Sequence, residues 1–158
     1  MKVLIVCLGN ICRSPMAEGW LRARIATDPI LRGLIIVDSA GLGDWHAGEP
    51  PDPRAIRTAA AHGIDISAQR ARMLAPQDFD DFDVILCADQ STLQQTRARI
   101  TRGSATSVAR LLEWAGLPDA HDLADPYTGD LADFEQVWAR IVTAGEGIVH
   151  RLHDALDA

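Results

Sequence analysis

The chain lacks most of the signals that would place it at a glance. None of its 158 residues form a stretch long and apolar enough to span a membrane. The N-terminal apolar run covers only Val3 to Leu8, too short for a signal peptide. There is no Cys-x2-Cys pair and no His-Glu-x-x-His, so no metal site is expected from His46, His62, His121, His150 or His153. The Gly-x4-Gly-Lys-Ser/Thr loop that cradles ATP is missing, which argues against phosphate transfer from a nucleotide, and no cofactor is expected. Basic excess is missing too: 15 Lys and Arg face 22 Asp and Glu for a net charge of −7, which argues against a nucleic-acid partner. The acidic residues are scattered apart from a short Asp78–Asp83 cluster. Repeats, low-complexity tracts and interdomain linkers are absent, and the length suits one domain over 1–158 with a core of its own. Tyrosine occurs once, at Tyr127, and cysteine three times, at Cys7, Cys12 and Cys87.

What is present alternates. Short β-branched runs, apolar on both faces, fall at 3–7, 34–37 and 84–87, with a weaker one near 105–108; such runs suit buried parallel strands. Helical stretches lie between them at about 15–27, 53–63, 90–100 and 108–115. A long last helix begins near Asp130, with Phe134, Val137, Trp138, Ile141, Ile148 and Leu152 on one face. Gly145 and Gly147 are expected to weaken its middle and bend it. Trp20, Trp114 and Trp138 sit in helical patterns and are expected in the core, as is Cys87. The order predicts an α/β fold: a three-layer, doubly wound, four-stranded parallel sheet flanked by helices, with right-handed crossovers. Ligands bind such sheets at the carboxyl ends of the strands.

Cys7-Leu8-Gly9-Asn10-Ile11-Cys12-Arg13-Ser14-Pro15 falls at such an end, between the first strand and the first helix. A thiol, five intervening residues and an arginine can wrap one tetrahedral anion, with the backbone N–H groups of Leu8, Gly9, Asn10, Ile11 and Cys12 pointing inward. Those amides, the helix dipole and the Arg13 guanidinium favour negative charge at one spot. The same field can lower a cysteine pKa from about 8.5 to roughly 3.5–7.5, which is expected to hold Cys7 as thiolate. Gly9 permits close backbone approach and Asn10 tolerates a left-handed turn. Ser14 is expected to cap the helix with Pro15 at its first position. No capping box follows, since Ala17 stands three residues on, which leaves Ser14 free to hydrogen-bond the Cys7 sulfur.

Beyond this loop the chain resembles the low-molecular-weight protein tyrosine phosphatases from about residue 1 to 157. Val6 to Pro15 match their signature throughout. Ser39-Ala40-Gly41 followed by Trp45, His62-Gly63-Ile64, Ala71-Arg72, Asp83 to Cys87, Asp125-Pro126-Tyr127 and Asp133-Phe134-Glu135 resemble further segments of that family. The resemblance implies a metal-independent phosphatase in which Cys7 attacks phosphorus, Arg13 grips the phosphoryl oxygens, and Asp125 is general acid and then base. Pro126 restricts Asp125 to extended conformations, which helps aim its carboxyl. The resemblance further implies that Trp45 and Tyr127 sandwich the substrate's phenyl ring, and that Ile11 favours phosphotyrosine over phosphoarginine, whose hydrolases carry a Thr there. It also implies that Cys12 captures an oxidised Cys7 as a disulfide.

In that family an Asn, two Ser and a His brace the loop. Asn10, Ser14 and Ser39 match, but Gln69 stands at the histidine's place and cannot carry charge. Met73, Ala88 and Thr92 depart from the family pattern around the site, and Thr128 replaces a second aromatic, opening one side of the slot. The implied partner is a tyrosine-phosphorylated protein, with a bacterial tyrosine kinase as a candidate. A catalytic thiolate implies a reducing compartment, hence the cytoplasm; length and mixed surface suit a monomer. Two rivals share the loop. An arsenate reductase needs two resolving thiols outside it, and only Cys87 is available. A non-catalytic phosphotyrosine-binding module predicts loss of Cys7, Arg13 or Asp125, and all three are present.

Overall fold

The computed structural model describes residues 1–117 and 122–158; His121 lies outside the described residues. Four strands, β1 (Lys2–Cys7), β2 (Ile36–Gly41), β3 (Val84–Cys87) and β4 (Ser107–Arg110), form one sheet in the order β2-β1-β3-β4, with every pairing parallel. Among the described residues six helices accompany them: α1 (Arg13–Ala26), α2 (Pro53–Ala61), α3 (Asp78–Asp81), α4 (Gln90–Arg97), α5 (Leu111–Trp114) and α6 (Leu131–Asp157). Side chains alternate across each strand. Val3, Ile5 and Cys7 of β1 join Val84 and Leu86 in a core cluster with α1, α2, α5 and α6. Leu4, Val6, Ile85 and Cys87 face the other way, into a smaller cluster with Leu74, Phe79 and Leu93. The expected doubly wound parallel sheet is therefore the fold found.

Boundaries differ from the sequence reading where a strand lies at an edge. The run at 34–37 gives way to Ile36–Gly41: β2 pairs only with β1, and across the expected run Leu34 and Ile36 are exposed while Ile35 and Val37 are buried, so the run is not apolar on both faces in the fold. Its polar middle, Asp38 and Ser39, carries the ladder toward the site, where Cys7 pairs with Gly41. The strand near 105–108 is displaced to Ser107–Arg110, and the helix expected over 108–115 shrinks to the single turn of α5. The acidic cluster forms the unforeseen turn α3; buried Asp78 there pairs with Arg72.

Helix α6 runs unbroken through both of its mid-helix glycines. Its start is fixed by a capping box: Asp130 accepts from the Asp133 amide (3.2 Å) and the Asp133 carboxylate accepts from the Asp130 amide (2.8 Å). The glycines do not weaken the packing; they permit it. A methyl group on Gly145 would collide with the Trp20 ring, and one on Gly147 with the carbonyl oxygen of Ala115. Gly147→Ala is therefore expected to lower the thermal midpoint. Overpacking of about 1–3 kcal/mol against a backbone atom that cannot rotate away should exceed the ~1 kcal/mol gained in helix propensity. An unchanged or higher midpoint by circular dichroism would show that α6 can shift off Ala115.

Candidate active site

Segments that follow β1, β2 and β4 converge on one cleft of about 240 Å³. The loop after β1 supplies Cys7, Leu8, Gly9, Ile11, Cys12 and Arg13, the one after β2 supplies Trp45 and His46, and the segment beyond α5 supplies Asp125 and Tyr127. Thus the thiol, the arginine, the carboxylate and the two aromatics singled out in the sequence line a common space. Trp45 and Tyr127 are 64% and 50% exposed, as walls awaiting a flat ligand would be, while Ile11 is buried at the base.

Asn10 shapes the loop. Among the described residues it is the one non-glycine with a positive φ, 59°, and both its amide nitrogen and its oxygen are spent on the loop's surroundings. Its amide nitrogen donates to Ser14 Oγ (2.8 Å) and Ser39 Oγ (2.9 Å), and its oxygen accepts from the Arg72 amide (3.0 Å). Gly41 lets β2 close on the loop: a Cβ there would sit 3.0 Å from the Leu8 carbonyl oxygen and 3.1 Å from Asn10 Cβ. Held in this way, the loop leaves the backbone amides from Leu8 to Ser14 without an acceptor among the described residues. Consecutive amides with no internal partner are what an anion cradle requires.

The proton order around Cys7 follows from these bonds. Ser14 Oγ lies 3.0 Å from Cys7 Sγ and accepts from Asn10, which leaves its own hydrogen free for donation to a thiolate sulfur. Ser39 likewise accepts from Asn10 and donates to Glu18 Oε1 (2.7 Å). Ser14 does not cap the helix as expected. Helix α1 begins at Arg13 with Cys12 at the cap position and no side-chain cap, because the Ser14 hydroxyl is occupied at the sulfur.

Gln69 is a correction of another kind. Its amide donates to the Pro15 carbonyl (3.1 Å), its oxygen is buried without a partner, and it bonds none of Asn10, Ser14 or Ser39. Glu18, one helical turn beyond Ser14 on the same face of α1, closes the network instead. That i,i+4 spacing was the signal available in the sequence. Burial pushes the Glu18 carboxyl up, with the Ser39 and Arg22 hydrogen bonds opposing.

Arg13 is 3% exposed and fixed on one side: Nη1 donates to Asp89 Oδ2 (2.7 Å) and to the Leu123 carbonyl (2.9 Å). Nη2 stands 3.5 Å from Asp125 Oδ2. Burial disfavours its charge, but Cys7, Asp89 and Asp125 outweigh that and hold the guanidinium above its ordinary pKa. Asp89 was not read from the sequence, although an acidic residue just beyond a parallel strand is a place to look. It caps α4, accepting from the Thr92 amide (2.7 Å) and hydroxyl (2.6 Å), so Thr92 fixes the carboxylate that fixes Arg13. Ala88 contributes its carbonyl to the Leu123 amide (2.8 Å), and Met73 bridges to Gly41 at the back of the loop.

Asp125 is 42% exposed at its side chain and accepts from the Tyr127 amide (3.1 Å). Thr128 does not line the Cys7 cleft; it lines a neighbouring one with Asp133, Gln136 and Arg140. His46, which the sequence gave no reason to favour, lines the Cys7 cleft with Nδ1 2.8 Å from Glu49 Oε2. His62 stacks on Trp138 (5.2 Å) and His153 pairs with Asp28 (2.9 Å), both away from the cleft. Burial, reinforced by Asp52, Cys7 and Asp125, pushes the Cys12 thiol far up. Cys87 is fully buried in the smaller cluster with its thiol pushed up to about 11.

Burial opposes ionisation of Asp89, but the Thr92 hydroxyl, Arg13 and the Thr92 amide prevail and hold it below the usual carboxylate range. A carboxylate depressed in the fold contributes stability above its unfolded pKa of about 4, and that contribution is lost as pH falls through the folded value. Asp89→Asn should therefore lower the thermal midpoint at pH 7, and the gap to the parent should narrow below about pH 4. A gap that stays constant across the acid range would show that the pair with Arg13 contributes nothing.

A family model described as low molecular weight phosphotyrosine protein phosphatase matches residues 2–157. A low molecular weight protein-tyrosine-phosphatase of Bacillus subtilis, YfkJ, is 39% identical over 150 residues, 94% of each chain. The crystal structure of a protein tyrosine phosphatase from Entamoeba histolytica superposes with a TM-score of 0.90 at 28% identity, covering 98% of each chain. That of DARP, a Drosophila arginine phosphatase, gives 0.88 at 31% identity, covering 96% of this chain and 98% of its own. Sequence and fold agree from end to end: the chain belongs to the low molecular weight phosphotyrosine protein phosphatase family.

Proposed function

We propose that this protein hydrolyses phosphotyrosine in proteins through a phosphocysteine intermediate. The observation that carries the reading is the convergence of Cys7, Arg13 and Asp125 in one cleft whose floor is a loop of unpaired amides. Cys7 thiolate attacks phosphorus in line. The P–O bond to the tyrosine breaks, its electron pair goes to the phenolic oxygen, and Asp125 gives that oxygen a proton. Arg13 and the amides from Leu8 to Ser14 carry the charge on the phosphoryl oxygens, the electrostatic work a metal does elsewhere. Water then attacks phosphorus, losing its proton to Asp125, and the S–P bond breaks with its electron pair returning to sulfur. The Ser14 hydroxyl, aimed at Sγ, stabilises that leaving thiolate. Inorganic phosphate departs.

Trp45 and Tyr127 provide walls for a planar ring, and Ile11 an apolar base, a lining that suits a phenyl group better than the guanidinium of phosphoarginine. Cys12, sharing the loop and the cleft, attacks a Cys7 sulfenic acid formed by peroxide, releasing water and leaving a reducible disulfide. Cys87, sealed in the opposite core cluster, is unsuited to relay oxidation, which weighs against an arsenate reductase. No helix of the described residues is long and apolar enough to cross a membrane. The reading places one domain, as a monomer, in the cytoplasm, opposing a tyrosine kinase.

Phosphate release from a phosphotyrosine peptide, measured with a chelator present, is expected to fall at least about 10³-fold in Cys7→Ser and in Arg13→Ala. Asp125→Ala should lose about 10²–10⁴-fold for an unactivated phenol. Turnover surviving in Cys7→Ser would end the covalent mechanism. The kcat/KM for the phosphotyrosine peptide should exceed that for a phosphoarginine peptide by at least about tenfold, a difference of ~1.4 kcal/mol. The reverse ranking would reassign the substrate.

A further inference from the structure

We propose that Arg54, tethered by Asp52, is the positioning residue that holds the Asp125–Tyr127 segment over Cys7, and so governs leaving-group protonation without touching the substrate. The proposal rests on Asp125 being the acid, as read above.

Arg54 lies in the first turn of α2 and does not line the Cys7 cleft. Its guanidinium forks onto its neighbour, Nε to Asp52 Oδ1 (3.0 Å) and Nη2 to Asp52 Oδ2 (2.9 Å). The remaining donors cross to the far wall: Nη2 reaches the Tyr127 carbonyl (2.8 Å) and Nη1 the Gly129 carbonyl (2.8 Å). Its plane also lies against two rings, with Cζ 4.6 Å from the centroid of Phe134 and 5.8 Å from that of Tyr127. On the other side, the Asp52 amide donates to the Ile11 carbonyl in the phosphate loop (2.8 Å), and the Asp52 carboxylate caps α2 through the Arg54 amide (2.8 Å). A continuous run of hydrogen bonds thus leads from Ile11 through Asp52 and Arg54 to the turn that follows Asp125.

Asp125 needs such support because it has little of its own. Its side chain is 42% exposed and holds only the Tyr127 amide at 3.1 Å and Arg13 at 3.5 Å. A general acid works only within hydrogen-bond reach of the departing oxygen, and a displacement of 1 Å can cost on the order of 10²-fold. The planar fork is what makes the arrangement possible. An ammonium cannot bind Asp52 at two points and two carbonyls at once while stacking on Phe134.

Two esters separate positioning of the acid from general damage: phenyl phosphate, whose phenolate needs a proton, and p-nitrophenyl phosphate, whose phenolate leaves without one. In Arg54→Ala, kcat/KM for phenyl phosphate should fall by about tenfold or more, and that for p-nitrophenyl phosphate by less than about threefold. Arg54→Lys should show the same selectivity with a smaller loss, and it carries the test if the alanine variant does not fold. Adding Arg54→Ala to Asp125→Ala should change phenyl phosphate hydrolysis less than about twofold, since the positioned group is already gone. Equal losses on both esters, or losses that multiply in the double variant, overturn the proposal. Asp125→Ala lowering kcat/KM equally for both esters overturns the acid assignment beneath it. Selective loss in Asp125→Ala with none in the Arg54 variants overturns the positioning role alone.

Discussion

The Asn10 side chain is the constraint on which the site depends. A left-handed φ turns the chain at this residue, a conformation Asn tolerates better than most. The turn would be one of several available to a glycine-containing loop without the three hydrogen bonds that fix it. Those bonds run to different parts of the fold: Ser14 in α1, Ser39 in β2 and the backbone of Arg72. One buried amide thereby joins the first helix, an edge strand and a loop, and dictates that the amides from Leu8 to Ser14 stay unpaired. It also leaves the hydroxyl hydrogens free to point away from Asn10, that of Ser14 available to a Cys7 thiolate and that of Ser39 donated to Glu18. Asn10, Ser14 and Ser39 each have their partners within this network, which is what makes it rigid.

Charge is handled by a second arrangement built on the first. Arg13 is buried, and a buried cation without partners would be costly. Asp89 and the Leu123 carbonyl hold one side of its guanidinium, and both are themselves anchored, Asp89 by Thr92 and Leu123 by Ala88. Leu123 stands two residues before Asp125, so the contact that orients the arginine also ties down the segment between α5 and α6 that carries the carboxylate. The net charge of −7 contributes nothing to attracting a dianion; the attraction is local to the loop and this one guanidinium.

How far the sequence could be read depended on range. The parallel sheet, the position of Cys7 at a strand end and the long amphipathic α6 rest on periodicity and alternation, which are local properties. The Cys7–Arg13 spacing is local as well. Errors arose where a neighbour across space decided. Ser14 reads as a helix cap, but the sulfur claims its hydroxyl. Gly145 and Gly147 read as weak points, but Trp20 and Ala115 pack where side chains would be. Gln69 reads as part of the brace, but its amide finds Pro15 and Glu18 takes the vacant role.

The sequence by itself determined the fold class, the anion loop and the three groups that can carry the chemistry, because each is encoded in residues adjacent or periodically spaced along the chain. Tertiary structure alone decided which groups support them. Asp89, Glu18, His46 and Arg54 come from four separate segments, and each acts through hydrogen-bond or van der Waals contacts of a few ångströms. Such distances are set by the crossover of strands and the angle of helices, so apart from the i,i+4 spacing of Glu18 from Ser14 on α1, no spacing along the chain specifies them.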